Sequence, residues 1–435
     1  MNPLRQKIEQ EIREQGPIPF SRYMELCLYD PDHGCYSRTA EQFGKAGDFY
    51  TSSDVHAVFG RLMARQFEEM WKALGSPEQI AIVELGPGRG LFAQDVLDWS
   101  EKKFPDFFQA LGYILVESSP ALRHRIEATL GTHLYSGKAA FASFEGDTKA
   151  VAIDGSAPSP PDVIPNAPQR VRDLTSAGNS DAVNKITAPP WVAQRFSATK
   201  GSEMTRALAP EVPTILFANE FFDALPVEIL SPQGSLHIDT RDNKFIETWA
   251  PASPQELEYL DRHSIHPEPG ERLEAPLIAQ QYMHRIADSI TRGFLIAIDY
   301  GYTREEQLAG RHRGTLKALR QHSISNNPYE APGEQDITAD VNFTALTAAA
   351  EEQGMQTQKL LTQSQFLMGI GEPNQFADAF EDCRLPQEHA KVALQLKHLV
   401  TPAGMGESFH VLVASKGVEK EKVAALTGLT FSRRI

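Results

Sequence analysis

The chain has 435 residues, 41% of them hydrophobic, and a formal net charge of −15. That is enough for one large domain or two ordinary ones with a real core, and the negative charge opposes both non-specific nucleic-acid binding and attraction to an anionic membrane surface. Three cysteines, Cys27, Cys35 and Cys383, form no CxxC pair and no disulfide framework, which fits a reducing compartment.

In chain order, residues 1–45 read as a short amphipathic helix of mixed charge followed by a loop, with Tyr29-Asp30-Pro31-Asp32-His33-Gly34 as a turn. The N-terminus has no apolar signal region, and Glu9, Glu11 and Glu14 oppose a mitochondrial presequence. No apolar run approaches membrane-spanning length, so a cytoplasmic chain without membrane insertion is expected. Gly47-Asp48-Phe49-Tyr50-Thr51-Ser52-Ser53 is a polar loop. The helix after it, about 55–74, should bury Val58, Leu62, Phe67, Met70 and Trp71. A strand over 80–85 leads through a glycine-rich turn into a helix over 90–103. A second strand, 112–117, precedes a helix over 119–130.

Residues 150–206 differ in kind. Seven prolines between Pro158 and Pro190 interrupt a stretch without sustained period, which predicts a disordered insertion. A partner-binding segment around Trp191 is weighed below a solvated loop. Order returns with a buried strand at 213–218 that runs into Asn219-Glu220-Phe221-Phe222-Asp223-Ala224-Leu225-Pro226-Val227. Hairpin strands follow at 227–230, 236–239 and 245–249, then a helix over 276–291 and a buried strand ending in Asp299-Tyr300-Gly301. Helices are expected over 340–353, capped from the 336–340 stretch, and over 366–370 and 386–399. A last strand covers 409–414.

The most informative stretch is Val83-Glu84-Leu85-Gly86-Pro87-Gly88-Arg89-Gly90. Strand, glycine turn and helix in succession are the first unit of a doubly wound nucleotide-binding sheet. The glycines let the backbone turn tightly and approach a ligand that carries an adenosine. A dinucleotide site prefers G-x-G-x-x-G, whereas Gly86, Gly88 and Gly90 are spaced by two. Glu84 suits a cationic amino-acid moiety and would face a pyrophosphate badly. The pattern resembles motif I of class I S-adenosylmethionine methyltransferases. Glu117, at the end of the second strand, is placed to bond ribose hydroxyls; the plainer alternative is an exposed acid ahead of a helix.

Five blocks together resemble the MidA-like family of methyltransferases, whose mitochondrial members are complex I assembly factors. They are Gly47-Asp48-Phe49 with Thr51-Ser52, the Glu84–Gly90 motif, the long block from Asn219 to Val227, Asp299-Tyr300-Gly301, and Asp336-Ile337-Thr338-Ala339-Asp340-Val341 with Phe343. The resemblance implies an α/β class I methyltransferase fold, a Rossmann-like doubly wound sheet with additional helical N-terminal and C-terminal elements. The expected parts are an N-terminal helical segment (1–45), a donor-binding domain in two pieces (46–149 and 207–303) around the insertion (150–206), a C-terminal part (304–418) and a tail (419–435).

S-adenosyl-L-methionine is the implied donor, with Glu84, Gly86, Pro87, Gly88, Gly90, Glu117 and Asn219 around it. Symmetric dimethylation of arginine on a complex I subunit, described for eukaryotic members, implies a protein acceptor. Carboxylates would then grip the guanidinium. Glu220 and Asp223, just past a strand end at the carboxyl edge of the sheet, are the first candidates, with Asp48 as a third. Asp223 as a turn acid and Asp48 as plain loop structure are the alternatives. His33 and His56 are weaker candidate bases. No metal-ligand spacing appears and no nucleophile elbow. The competing functions are methylation of a small molecule or another side chain, and a non-catalytic assembly protein on the same fold. A homo-oligomer is left open.

Overall fold

The computed structural model describes residues 2–37, 57–144, 151–152, 212–320, 323–325 and 327–431. Asp48, His56, Trp191 and nearly all of the 150–206 insertion lie outside these residues.

The frame is a central sheet whose main strands are β1 (Ile80–Leu85), β2 (Leu111–Val116), β3 (Ala139–Phe144), β4 (Thr214–Asn219), β5 (Gly293–Tyr302) and β6 (Phe409–Lys416). Their spatial order is 3-2-1-4-5-6. The first five are parallel, and β6 runs antiparallel to β5. Parallel strands need both faces covered, so their sequences are continuous apolar runs without alternation. All six residues of β1 are buried, including Glu84.

Helices α1 (Pro3–Gln15), α2 (Phe20–Tyr29), α3 (Ala57–Ala73), α4 (Leu91–Lys103), α5 (Pro120–Tyr135), α6 (Leu277–Ser289) and α7 (Phe343–Glu352) supply most of the covering. One core packs α3, α4 and α5 on the sheet through Phe67, Phe92, Phe217 and Ile126. The Phe92 and Phe217 rings stack at 4.5 Å. The opposite face is covered by α6 and α7 through Met283, Ile286, Phe343 and Leu346. The expected buried face of α3 is buried, and so are Phe59, Met63 and Ala64, because α4 and the helices Gln363–Gly371 and Pro386–Val400 all pack against it.

A separate apolar cluster joins α1 and α2 to strands Glu228–Ser231 and Gly234–Arg241 and to Ala318 and Ile337. The N-terminal helices are thereby fixed over one end of the central sheet. Tyr29 donates its hydroxyl to the Ala224 carbonyl (2.9 Å), and Tyr36 donates to Asp336 (2.9 Å). The strand from the C-terminal part, β6, completes the central sheet beside β5.

Three readings are corrected: where a loop is expected after the first helix, Phe20–Tyr29 form the helix α2 that packs into the apolar cluster above. The helix expected from residue 340 begins at Phe343, and its cap is Asn342, whose side chain accepts the Ala345 N–H at 3.1 Å. Residues 341–342 extend instead, pairing parallel with Gly301 and Tyr302. A Cβ on Gly301 would stand 2.1 Å from the Val341 carbonyl oxygen, so only glycine permits that pairing. Strand β3 was not foreseen. Its Ala139-Ala140-Phe141-Ala142 run lacks the β-branched residues that mark a strand.

Asn342 is buried and also donates to the Tyr259 hydroxyl (2.7 Å) and the His263 carbonyl (2.9 Å). Asn342→Ala removes a cap and strands two buried acceptors, so a loss of about 2–4 kcal/mol in urea unfolding is expected. A loss below about 0.5 kcal/mol, the level of an ordinary surface change, would refute the structural reading of this motif.

Candidate active site

At the carboxyl ends of β1, β2 and β4, where strand order reverses, the sheet opens into a cleft of about 540 Å³. Doubly wound sheets bind ligands at this point, because strands leaving in opposite directions cannot fill it. One wall is the turn from Gly86 to Arg89 with Glu84 and Glu117, and Gly90 is not on it. The other is Asn219, Glu220 and Phe221, and α2 and α6 add Glu25, Tyr29, Ile278 and Tyr282.

The glycine turn is left-handed at three positions, with φ of 62° at Gly86, 55° at Gly88 and 75° at Gly90. Each glycine has a further reason. A Cβ at Gly86 would press on the Phe221 ring at 3.1 Å, and one at Gly90 would meet Ile126 of α5 at 3.2 Å. At Gly88 a Cβ would stand in open space on the cleft wall. The first and third glycines therefore serve packing, and the second leaves the backbone bare to a ligand.

Glu84 is 5% exposed and accepts the Tyr113 hydroxyl at 2.8 Å. Burial drives its carboxyl up to about 8, the Tyr113 bond pulls the other way, and the charge of Glu117 adds to the rise. Glu117 is also buried, and burial lifts it to about 7 against the N–H groups of Ser119 and Ser118. Two buried acids this close raise one another's cost of ionisation, and a cation beside them offsets it. A cationic ligand carrying a ribose fits it, since the ammonium answers the charge and the hydroxyls answer the remaining acceptors.

The acids on the opposite wall are arranged differently. Glu220 lines the cleft, and the Asn219 amide donates to its carboxylate at 3.2 Å. Asp223 does not line the cleft; it lies behind the wall, 7% exposed. It accepts the Tyr300 hydroxyl, while its buried Oδ1 has no hydrogen-bond partner among the described residues. Burial drives the Asp223 carboxyl up to about 6, against the pull of Tyr300. Asp299 stands beside it, 1% exposed, and is pushed well above the ordinary carboxylate range by burial and by the charges of Asp223 and Glu220. His33 belongs to the turn after α2, where its N–H donates to Asp30, and is not on the cleft wall. Among the described residues no group of three His, Cys, Asp or Glu could hold a metal, and no helix is long and apolar enough to cross a membrane.

Residues 62–361 match the model of a family described as "Putative S-adenosyl-L-methionine-dependent methyltransferase". The chain belongs to that family. S-adenosyl-L-methionine is its methyl donor, and the left-handed glycine turn with its two buried acids is the cradle that fits such a molecule.

Curated relatives span nearly the whole methyltransferase. The protein arginine methyltransferase NDUFAF7 homolog of Drosophila melanogaster is 27% identical over 95% of this chain and 85% of its own length. Human NDUFAF7 is 25% identical, over 94% of this chain and 82% of its own. A Burkholderia thailandensis protein crystallised with S-adenosyl-homocysteine is 25% identical and superposes with a TM-score of 0.70, covering 97% of this chain and 94% of its own.

Sequence reasoning missed the aromatic half of this site. Tyr113 could have been suspected from β2, where it shares a face with Glu117. Tyr29, Tyr36 and Tyr282 carry no local signal.

Raised carboxyl values have a testable consequence for this methyltransferase. Glu84 and Glu117 titrate at about 8 and about 7 in the folded protein, above the ordinary 4.5. Their contribution to stability is therefore full below about pH 4.5 and is lost as pH rises through 7 and 8. A cation lodged beside them favours their ionised forms, so binding S-adenosyl-homocysteine at pH 7 should release protons. Calorimetry in buffers of different ionisation enthalpy measures this directly. Glu84→Gln should reduce the release, and binding heats that do not depend on the buffer would contradict the account.

Proposed function

We propose that this methyltransferase modifies arginine side chains on a protein. The carrying observation is Glu220, a carboxylate on the wall that faces the donor cradle. Both curated relatives above bear the name protein arginine methyltransferase, which supports the same acceptor.

The bound donor supplies an electrophilic methyl group on a sulfonium. The rest is positioning by the chain's own residues. Guanidinium nitrogens are poor nucleophiles because their lone pairs are delocalised over the group. Glu220 would hold two N–H groups of the guanidinium, draw positive charge toward them and leave the third nitrogen richer in electrons. Asn219 fixes the carboxylate through its amide. The methylated guanidinium stays charged, so one proton per transfer leaves the site, and Glu220 is the group placed to accept it first. Tyr29, Tyr282 and Phe221 line the same cleft and give the flat cation apolar faces to lie against.

Mass spectrometry of arginines in cells with and without the protein tests the proposal. Arginine methylation should disappear from at least one protein when the chain is absent and return with the unaltered chain. Methyl groups appearing only on small molecules or other side chains would overturn it.

A further inference from the structure

We infer that Asp299 is a positioning residue, whose carboxylate at the end of β5 anchors the 219–223 turn and so holds Glu220 in the backbone conformation that sets it on the cleft wall. The inference rests on Glu220 being the acceptor-binding residue.

Glu220 has φ of 49°, in the left-handed region. A glutamate gains nothing locally from that region, unlike glycine or asparagine. Its surroundings must impose it, and such imposed strain gathers at functional sites. Those surroundings are two successive residues of β5. The Glu220 N–H donates to the Ile298 carbonyl at 2.9 Å. The N–H groups of Phe222 and Asp223 then donate to Oδ2 of Asp299, at 3.0 and 3.3 Å. The chain is thus held on both sides of Phe221, and the turn has no freedom to relax at Glu220.

The chemistry of the anchor requires an acid. Oδ1 of Asp299 accepts a third backbone N–H, from Tyr300, at 3.0 Å. Three donors converge on its two oxygens, and a carboxyl group offers an acceptor lone pair on both. An asparagine would turn an NH₂ toward at least one of them. This accounts for an aspartate that is 1% exposed between two other acids, where a neutral residue would be easier to bury. Asp299 does not line the cleft, so it acts through the turn and not on a substrate.

The test compares the unaltered chain with Asp299→Asn, Glu220→Gln and the double variant. Crystal structures with S-adenosyl-homocysteine read the backbone at Glu220. Transfer of a labelled methyl group to a peptide with a single arginine, at saturating donor, reads the rate. In Asp299→Asn, Glu220 should leave the left-handed region and transfer should slow roughly a hundredfold, the cost of a misplacement of about 1 Å. S-adenosyl-homocysteine should still bind. In the Glu220→Gln background the same change should slow transfer by less than about threefold, because the residue it positions is already disabled. A purely structural Asp299 would give additive losses instead. Asp299→Glu keeps both acceptor oxygens one methylene out of register and serves if Asp299→Asn does not fold. A Glu220 that stays left-handed, or full additivity, overturns the inference. If the unaltered chain does not methylate arginine, the acceptor reading fails, and the crystal structures still decide whether Asp299 holds the turn.

Discussion

Gly88→Val is expected to abolish binding of the methyl donor and its demethylated product while leaving the fold in place. Two effects combine at this position. With φ of 55°, the backbone sits where a β-branched residue is a genuine outlier, at roughly 1–3 kcal/mol. A Cβ at this position would meet nothing within 4 Å beyond its chain neighbours, so the substitution points into open space and not into the core. What it occupies is cleft space beside the two acids. A hundredfold weaker affinity, about 2.7 kcal/mol, is the minimum expected in calorimetry with S-adenosyl-homocysteine. Gly90→Ala should behave oppositely. Its Cβ would meet Ile126 at 3.2 Å and Leu130 at 3.4 Å, so its cost falls first on stability. Wild-type affinity in Gly88→Val would mean that the donor does not approach the glycine turn.

Glu220→Gln should keep donor affinity and lose most methyl transfer. The amide preserves the shape and the place of the side chain on the cleft wall but removes the charge that would hold the guanidinium. An electrostatic contact realised in the transition state is worth about 3 kcal/mol, or roughly a hundredfold in kcat. Asp223→Asn should cost less. Asp223 lies behind the wall, where it accepts the Tyr300 hydroxyl and its N–H donates to Asp299, so its loss loosens the support of the turn without removing a cleft group. Kinetics at saturating donor, with calorimetry on the same variants, separate the two roles. If Glu220→Gln weakens S-adenosyl-homocysteine binding and leaves kcat unchanged, Glu220 belongs to the donor site and the acceptor assignment falls.

Of this molecule, the sequence by itself determined what depends on neighbours along the chain. Strand, glycine turn and helix over 80–103 could be read because apolar run, turn residues and helical spacing are contiguous. The positions of Glu84 and Glu117 followed from strand ends, since a side chain at the carboxyl end of a parallel strand must face the cleft edge. Tertiary structure alone decided what depends on chain segments far apart. Tyr113 meets Glu84 only because β1 and β2 pair in one register. Tyr29 reaches the cleft because α2 packs on strands that come some two hundred residues later. The left-handed backbone of Glu220 is written in no local preference of glutamate; Ile298 and Asp299 impose it from the neighbouring strand. In sequence Asp223, three positions on, is a candidate beside Glu220 with a turn acid as its alternative. Register and burial separated them, one onto the cleft wall and the other behind it, because a turn directs successive side chains to different sides and only the packed sheet shows which side is open.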